Sequence, residues 1–171
     1  EVFGVNRIPT VKGQACSAYD PRALKGTAVT YATSPMGADH TAGNCLPGRG
    51  GVDPNSVKGQ VKVSRDIQIM SAVLDVLGIC LFVGPMPDSM EVVRGLMSMA
   101  TGQDFGLEDV LEIGKRAIRT EIRFNRAAGF NTADDRLPEF FRREMLPPNN
   151  LIFDIAGSEL DKVLNLSLIH I

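Results

Sequence analysis

Val61–Cys80, VKVSRDIQIMSAVLDVLGIC, is the stretch that decides the fold. Ile67, Met70, Val73, Leu74 and Leu77 recur mostly at spacings of three and four, the period of one helix face. A helix is therefore predicted over Val61–Leu77. Gly78 then supplies a stop or a positive-φ turn, and Cys80 lies just beyond it. Ile67–Val83 is the most apolar run of the chain, yet Arg65 and Asp66 precede it and Asp75 interrupts it. A membrane span needs roughly 20 predominantly apolar residues, and a carboxylate at its centre is costly. The stretch reads as a buried core helix; no membrane association is expected, and no signal peptide is visible.

On the C-terminal side, Pro85 and Pro87 end the apolar run. Asp88 or Ser89 would cap a helix to about Ala100, with Gly102 beyond its end. Leu107, Val110, Leu111, Gly114, Ala117, Ile118 and Ile122 then fall on one side of a further helix that Gly129 stops. Its acidic start and basic end suit the helix dipole. Leu137–Leu146 reads as a short amphipathic helix or hook, Pro147–Asn150 as a linker and Leu160–Leu164 as part of a last helix. On the N-terminal side, Asp20-Pro21 signals a helix start, with a helix rich in small residues over Pro21–Thr33. Such residues allow a backbone or a ligand to approach closely. Ser34–Pro54 is a Gly/Pro-rich loop that gathers Asp39, His40, Thr41 and Asn44. Strand signals are confined to short pieces near Val2–Val11 and Leu151–Ile155, and no 20–50-residue repeat is present. The expected fold class is mostly α.

The 171 residues suffice for one sizeable core or two small ones. A net charge of −2 and the absence of Trp argue against nucleic acid, because there is no basic surplus for phosphates and no stacking platform. Cys16, Cys45 and Cys80 are odd in number and widely spaced, which is no disulfide framework and fits a reducing, cytoplasmic setting. The chain begins at Glu1 in what reads as mid-protein sequence. It ends in LSLIHI, Leu166–Ile171, an uncapped apolar tail. Residues 1–165 are accordingly expected to be a helical region of a longer protein, and 166–171 a non-native tail.

The chemistry concentrates in DVLGIC, Asp75–Cys80. A thiol just past a helix end suits an iron-sulfur cluster, and a carboxylate one turn back accepts hydrogen bonds from ring N–H groups. Both residues also have plain structural uses, since cysteine packs well in cores and aspartate caps or pairs. The motif resembles the DxxGLC element of the tungsten-pterin aldehyde:ferredoxin oxidoreductase family, with Ile79 in place of the usual Leu. Three further elements resemble that family in the same order: AYDPRALKG at Ala18–Gly26, ATSPMGADH at Ala32–His40 and EIRFNRAAGFNTADDRLPEFF at Glu121–Phe141.

The resemblance implies the multihelical C-terminal domains of such an enzyme. It implies that Asp75, Gly78 and Ile79 contact pterin and that Cys80 is the fourth thiolate of a 4Fe-4S cluster. The other three would come from a CxxCxxxC run that this chain lacks. His40 matches a histidine beside the tungsten site, with a proposed role in proton donation or aldehyde orientation. Imidazole suits that role because it ordinarily titrates near neutral pH. Met36 stands where many members carry a basic residue near the pterin phosphates, so a contact there would come from backbone, with Gly37 permitting the approach. Asp39 would either raise the basicity of His40 or solvate the loop. The implied cofactors are a tungsten or molybdenum bis-pterin and the cluster. The implied partners are an aldehyde, ferredoxin or a similar acceptor, the N-terminal domain of the same protein and a homo-oligomer. Two other readings stand beside this one: a related tungsten enzyme such as an aromatic-ring reductase subunit, and a non-catalytic helical module.

Overall fold

The computed structural model describes residues 7–84 and 88–165. Six α-helices dominate them: α1 Lys25–Thr33, α2 Gln60–Val76, α3 Ser89–Thr101, α4 Leu107–Ala127, α5 Phe140–Arg143 and α6 Gly157–Val163. The sheet is one small hairpin of β1 Thr10–Val11 and β2 Gln14–Ala15, which covers part of the Val2–Val11 expectation. The Leu166–Ile171 tail lies outside the described residues. No described helix is long and apolar enough to cross a membrane.

α1 is the centre of the molecule, and every one of its nine residues is buried. Ala28, Val29, Tyr31 and Ala32 pack with Val11, Leu137, Phe141, Phe153, Ile155 and Leu160 in the largest apolar cluster. A helix buried all round has no polar face, so its small residues carry no amphipathic signal. Its start differs from the expectation at Pro21. The Asp20 carboxylate accepts from Arg22 N and from its guanidinium, and Asp20 O accepts from Ala23 N and Leu24 N. That local turn holds residues 20–24, and helix begins at Lys25.

α2 follows its predicted span, and Met70, Val73, Leu74 and Leu77 of its predicted face join one core. Val73 and Leu74 are buried, while Ile67, Met70 and Leu77 are only half-buried. The buried flank of its N-terminal half is polar: Gln60, Ser64, Gln68 and Ser71. Ser64 and Gln68 meet the threonines of α1. Ser64 Oγ lies 2.8 Å from Thr30 Oγ1, and Gln68 Nε2 donates to Thr33 Oγ1 at 3.1 Å and Ser64 Oγ at 3.2 Å. Gln60 Nε2 donates to Asp53 O at 2.6 Å. These bonds satisfy the Ser64 and Thr30 hydroxyls and the amide nitrogens of Gln60 and Gln68, while Gln68 Oε1 is left without a partner.

α3 and α4 occupy their expected spans. Met90 and Val93 of α3 join Val73, Leu74 and Val110 in a second core. α4 crosses α2 where Gly114 meets it: a methyl at Gly114 would stand 2.3 Å from Ile69 O and 2.9 Å from Val73 Cγ2. The chain ends of the fold are tied by Lys12. Its ammonium donates to Ser34 O at 2.9 Å, at the C-terminus of α1, and pairs with Asp135. The Leu151–Ile155 segment is extended: Leu146 and Leu151 form a bridge, and Phe153 N donates to Phe141 O at 2.8 Å.

Two helical glycines should respond oppositely to alanine. Gly114→Ala overpacks the α2–α4 crossing and should cost about 1–3 kcal/mol, visible as a lowered midpoint in thermal denaturation. Gly95→Ala on α3 meets nothing within 4 Å and should stabilise by roughly 0.4–1 kcal/mol. Equal effects at the two sites would contradict the close α2–α4 approach.

Candidate functional site

The C-terminal end of α2 is built by its backbone. Gly78 takes φ +66°, Ile79 N donates to Leu74 O at 2.8 Å, and Gly78 N donates to Asp75 O at 3.1 Å. This is a Schellman closure. Ile79 folds back onto the core that contains Leu74. The helix thus ends with Asp75 exposed on its last turn and Cys80 exposed just past it. A methyl at Gly78 would meet nothing within 4 Å, so one face of the turn is open. Phe82, two residues on, is 83% exposed.

Loop residues 34–42 lie across α2. Ser34, Pro35, Met36 and Ala42 line a small cleft of about 60 Å³ with Gln68, Ala72, Asp75, Val76, Ala117, Ile118 and Glu121. The structure therefore brings Met36 and Asp75 together across 39 residues of sequence, and places Gly78, Ile79 and Cys80 at the adjoining helix end. Met36 does not present a backbone donor there. Its N–H goes to Ser34 Oγ at 3.2 Å, and Gly37 N donates to Ser34 O at 3.0 Å. Gly37 is needed for another reason: its φ is +85°, and a methyl would stand 2.4 Å from Val11 O of the hairpin. Met36 offers the cleft its exposed thioether side chain.

The cleft is rich in acceptors and poor in donors. Gln68 Oε1 is buried and has no hydrogen-bond partner among the described residues. Asp75 and Glu121 are carboxylates, with Asp39 close enough to act on Asp75. Desolvation, and secondarily the charge of Asp39, pushes the Asp75 carboxyl above its usual range. Glu121 is raised by desolvation and then by Asp75. Such a surface suits a ligand that brings N–H donors. Among the described residues no three His, Cys, Asp or Glu side chains come together as a metal site.

His40 opens a short 3₁₀ turn, His40–Ala42, that packs on α1 and α2. Asp39 caps this turn, its carboxylate accepting from Thr41 N at 2.8 Å. Its distance from His40 Nδ1, 3.7 Å, is too long for a hydrogen bond. The partner of His40 is Ser17, whose Oγ lies 2.8 Å from Nδ1. Tyr19 tilts its ring against the imidazole at a centroid distance of 5.6 Å. The sequence pattern singles out neither Ser17 nor Gln68 nor Glu121, because each becomes relevant only through a contact distant along the chain.

Cys45 and Cys16 lie away from Cys80 in role. Cys45 is buried against Gly26, where a methyl on the glycine would stand 2.7 Å from Cys45 Cβ. Burial pushes the Cys16 thiol up to about 11, so it stays protonated. A larger cleft, about 390 Å³, holds none of the residues expected from sequence. It lies between the C-terminal half of α4 and the 130–135 turn, with Lys12, Arg119, Arg123 and Arg126 in its walls. The smaller cleft is the better candidate because it joins the loop and helix motifs.

The family model "Aldehyde ferredoxin oxidoreductase, domains 2 & 3" matches residues 3–165. The chain is similar to the tungsten-containing aldehyde ferredoxin oxidoreductase of Pyrococcus furiosus, 36% identical over 147 residues, which cover 81% of this chain and 24% of that protein. The protein of the same name from Thermococcus kodakarensis is 34% identical over 147 residues, with the same coverage. That from Pyrococcus abyssi is 33% identical over 151 residues, covering 84% of this chain and 25% of that protein. The chain thus spans about a quarter of the length of these relatives.

The raised carboxylates set a pH dependence. A folded-state value above the unfolded one means that the native protein binds the proton more tightly. Its stability therefore falls as pH rises from the ordinary carboxylate range through the raised one. Above the raised range both charges are present and the penalty is complete. Asp75→Asn or Glu121→Gln should raise the melting temperature at pH 7, and the gain should vanish below about pH 3, where the carboxylates are protonated in both states. A gain that persists at low pH would show that charge is not its source.

Proposed function

The chain belongs to the aldehyde ferredoxin oxidoreductase family, and from that premise we propose that it forms the cofactor-facing helical part of a tungsten-pterin enzyme. In this reading the whole protein oxidises aldehydes to carboxylic acids and passes the electrons to ferredoxin. The oxidation takes up one water and releases two protons and two electrons. The supporting observation is the closed end of α2. One Schellman turn sets a carboxylate and a thiol on either side of an open glycine, at the edge of an acceptor-rich cleft.

The exposed carboxylate and thiol at this helix end support a reading in which it borders a pterin and one corner of a cluster. The exposed carboxylate of Asp75 would accept ring N–H groups. Backbone at Gly78 and Ile79 would border the ring, and the thioether of Met36 would pack at the opposite wall of the cleft. Cys80 would ligate iron as one thiolate of the four that a 4Fe-4S cluster needs. The other three would come from the part of the protein beyond this chain. When bound, the tungsten-pterin group and cluster supply the redox chemistry, while the protein binds and orients them. His40, with its imidazole 37% exposed, would hold or deliver a proton at the aldehyde oxygen. The exposed Val76 and Phe82, which flank Asp75 and Cys80, would be covered by the N-terminal domain.

Elemental analysis of the full-length protein tests the assignment. Tungsten with about four irons per cluster is expected in the wild type. Cys80→Ala should lose the iron and retain the melting temperature of the apoprotein, because the thiol is exposed. Wild-type protein without tungsten or iron, or iron unchanged in Cys80→Ala, would remove Cys80 from the cluster.

A further inference from the structure

The larger cleft has no part in the function proposed above. It offers about 390 Å³ between the C-terminal half of α4, the 130–135 turn and α6. Spaces of several hundred cubic ångströms are the usual size of small-molecule sites. Its walls are fastened by specific contacts. Asn125 Nδ2 donates to Pro35 O at 2.8 Å, which ties the start of the 34–42 loop to α4. Gly129 turns the chain at φ +96°, and Phe130 N donates to Asn125 O at 3.0 Å. This closure brings Phe130 back against the end of the helix.

Charge in this cleft is unbalanced. Arg119, Arg123 and Arg126 follow one another at spacings of four and three, along one face of α4. Arg119 Nη2 donates to Glu112 Oε1 at 2.5 Å, Lys12 pairs with Asp135, and Asp161 pairs with Arg136. Both carboxylates of the cleft are therefore matched, and so are Lys12 and Arg119. The guanidinium groups of Arg123 and Arg126 have no hydrogen bond or ion pair among the described residues. The carbonyl end of α4 suits a cation at Arg126, in the last turn, but that influence fades by Arg123. Beside these two cations the lining is apolar, with Pro35, Ile122, Phe130, Leu160 and Leu164. An arginine fork matches carboxylate and phosphate alike. The doubly charged phosphate is disfavoured here, because Asp135 and Asp161 line the same space and the helix end adds partial negative charge. A single negative charge on an apolar body meets less repulsion and uses both kinds of wall.

We propose that this cleft binds a small organic monocarboxylate, with Arg123 and Arg126 on the carboxylate and Ile122, Phe130 and Leu164 along the hydrocarbon. The assignment uses none of the residues given to pterin, cluster or proton transfer, and it stands or falls apart from the function proposed above.

The test is calorimetric titration of the full-length protein with octanoate. Saturable binding is expected in the wild type. Arg123→Gln and Arg126→Gln should each weaken it about tenfold, the scale of one charge-assisted hydrogen bond. Both side chains are exposed, so these variants should keep the wild-type melting temperature. Octanamide, with the same tail and no charge, should bind about tenfold more weakly than octanoate. Inorganic phosphate should not displace octanoate. No saturable binding would overturn the proposal by showing that the rest of the protein fills the cleft. Affinity unchanged in both arginine variants would overturn it by placing octanoate elsewhere. Octanamide binding as well as octanoate would leave only an apolar hollow, and displacement by phosphate only an inorganic-anion site; either result refutes the carboxylate assignment. Cys80→Ala separates the two ideas. Octanoate binding that persists there, with the arginine dependence intact, supports the cleft whatever the metal content, and loss of binding in Cys80→Ala alone refutes it.

Discussion

Everything in this molecule is arranged around a helix that has no outside. α1 is buried on all sides, so its threonine hydroxyls must find partners within the protein. Thr30 takes Ser64 of α2 and Gly43 O of the loop, Thr27 takes Asn44, and Thr33 takes Gln68 and its own helix. A typical hydrogen bond contributes only about 0.5–1.5 kcal/mol net, whereas a buried group left unmatched costs about 1–3 kcal/mol. These bonds therefore act mainly as selectors. They admit one register of α2 and one path of the 39–45 loop against α1, and other arrangements leave hydroxyls stranded.

The candidate site inherits its geometry from that seam. Gln68, a residue of the cleft wall, is held by Thr33 and Ser64 through its amide nitrogen. The loop that begins at Ser34 is fastened at one end by Lys12 on its carbonyl and at the other by Thr27 on Cys45 N. Between these ties stand Met36, Asp39 and His40. On the opposite wall, α4 can present Glu121 to the cleft only because Gly114 lets it approach α2. A small residue in one helix thus governs the acid content of a cleft two turns away.

Ligand recognition and stability pull against each other here. Three carboxylates and an unmatched amide oxygen share one small region, and desolvation, with mutual repulsion second, raises two of the carboxyls. A core optimised for stability alone would not gather them. A surface that awaits N–H donors would, and the exposed apolar side chains beside it fit a region that meets further protein.

Much of this was legible in the amino-acid sequence. The spans of α2, α3 and α4 follow from three-four spacing and from Gly78, Gly102 and Gly129 at their ends, because local backbone preference and periodicity act over neighbouring residues. The motif resemblance likewise rested on short segments in fixed order and pointed to the family before any contact was known. What only the tertiary structure decided is where burial and partnership are set by distant residues. α1 hides its importance by being buried all round, α2 buries a polar flank as well as its apolar residues Val73 and Leu74, and Gly37 makes room for the hairpin. Ser17 and Tyr19 reach His40 from another part of the chain. No local pattern encodes such pairings, because a hydrogen bond in the core is chosen by which groups have no water and no other partner.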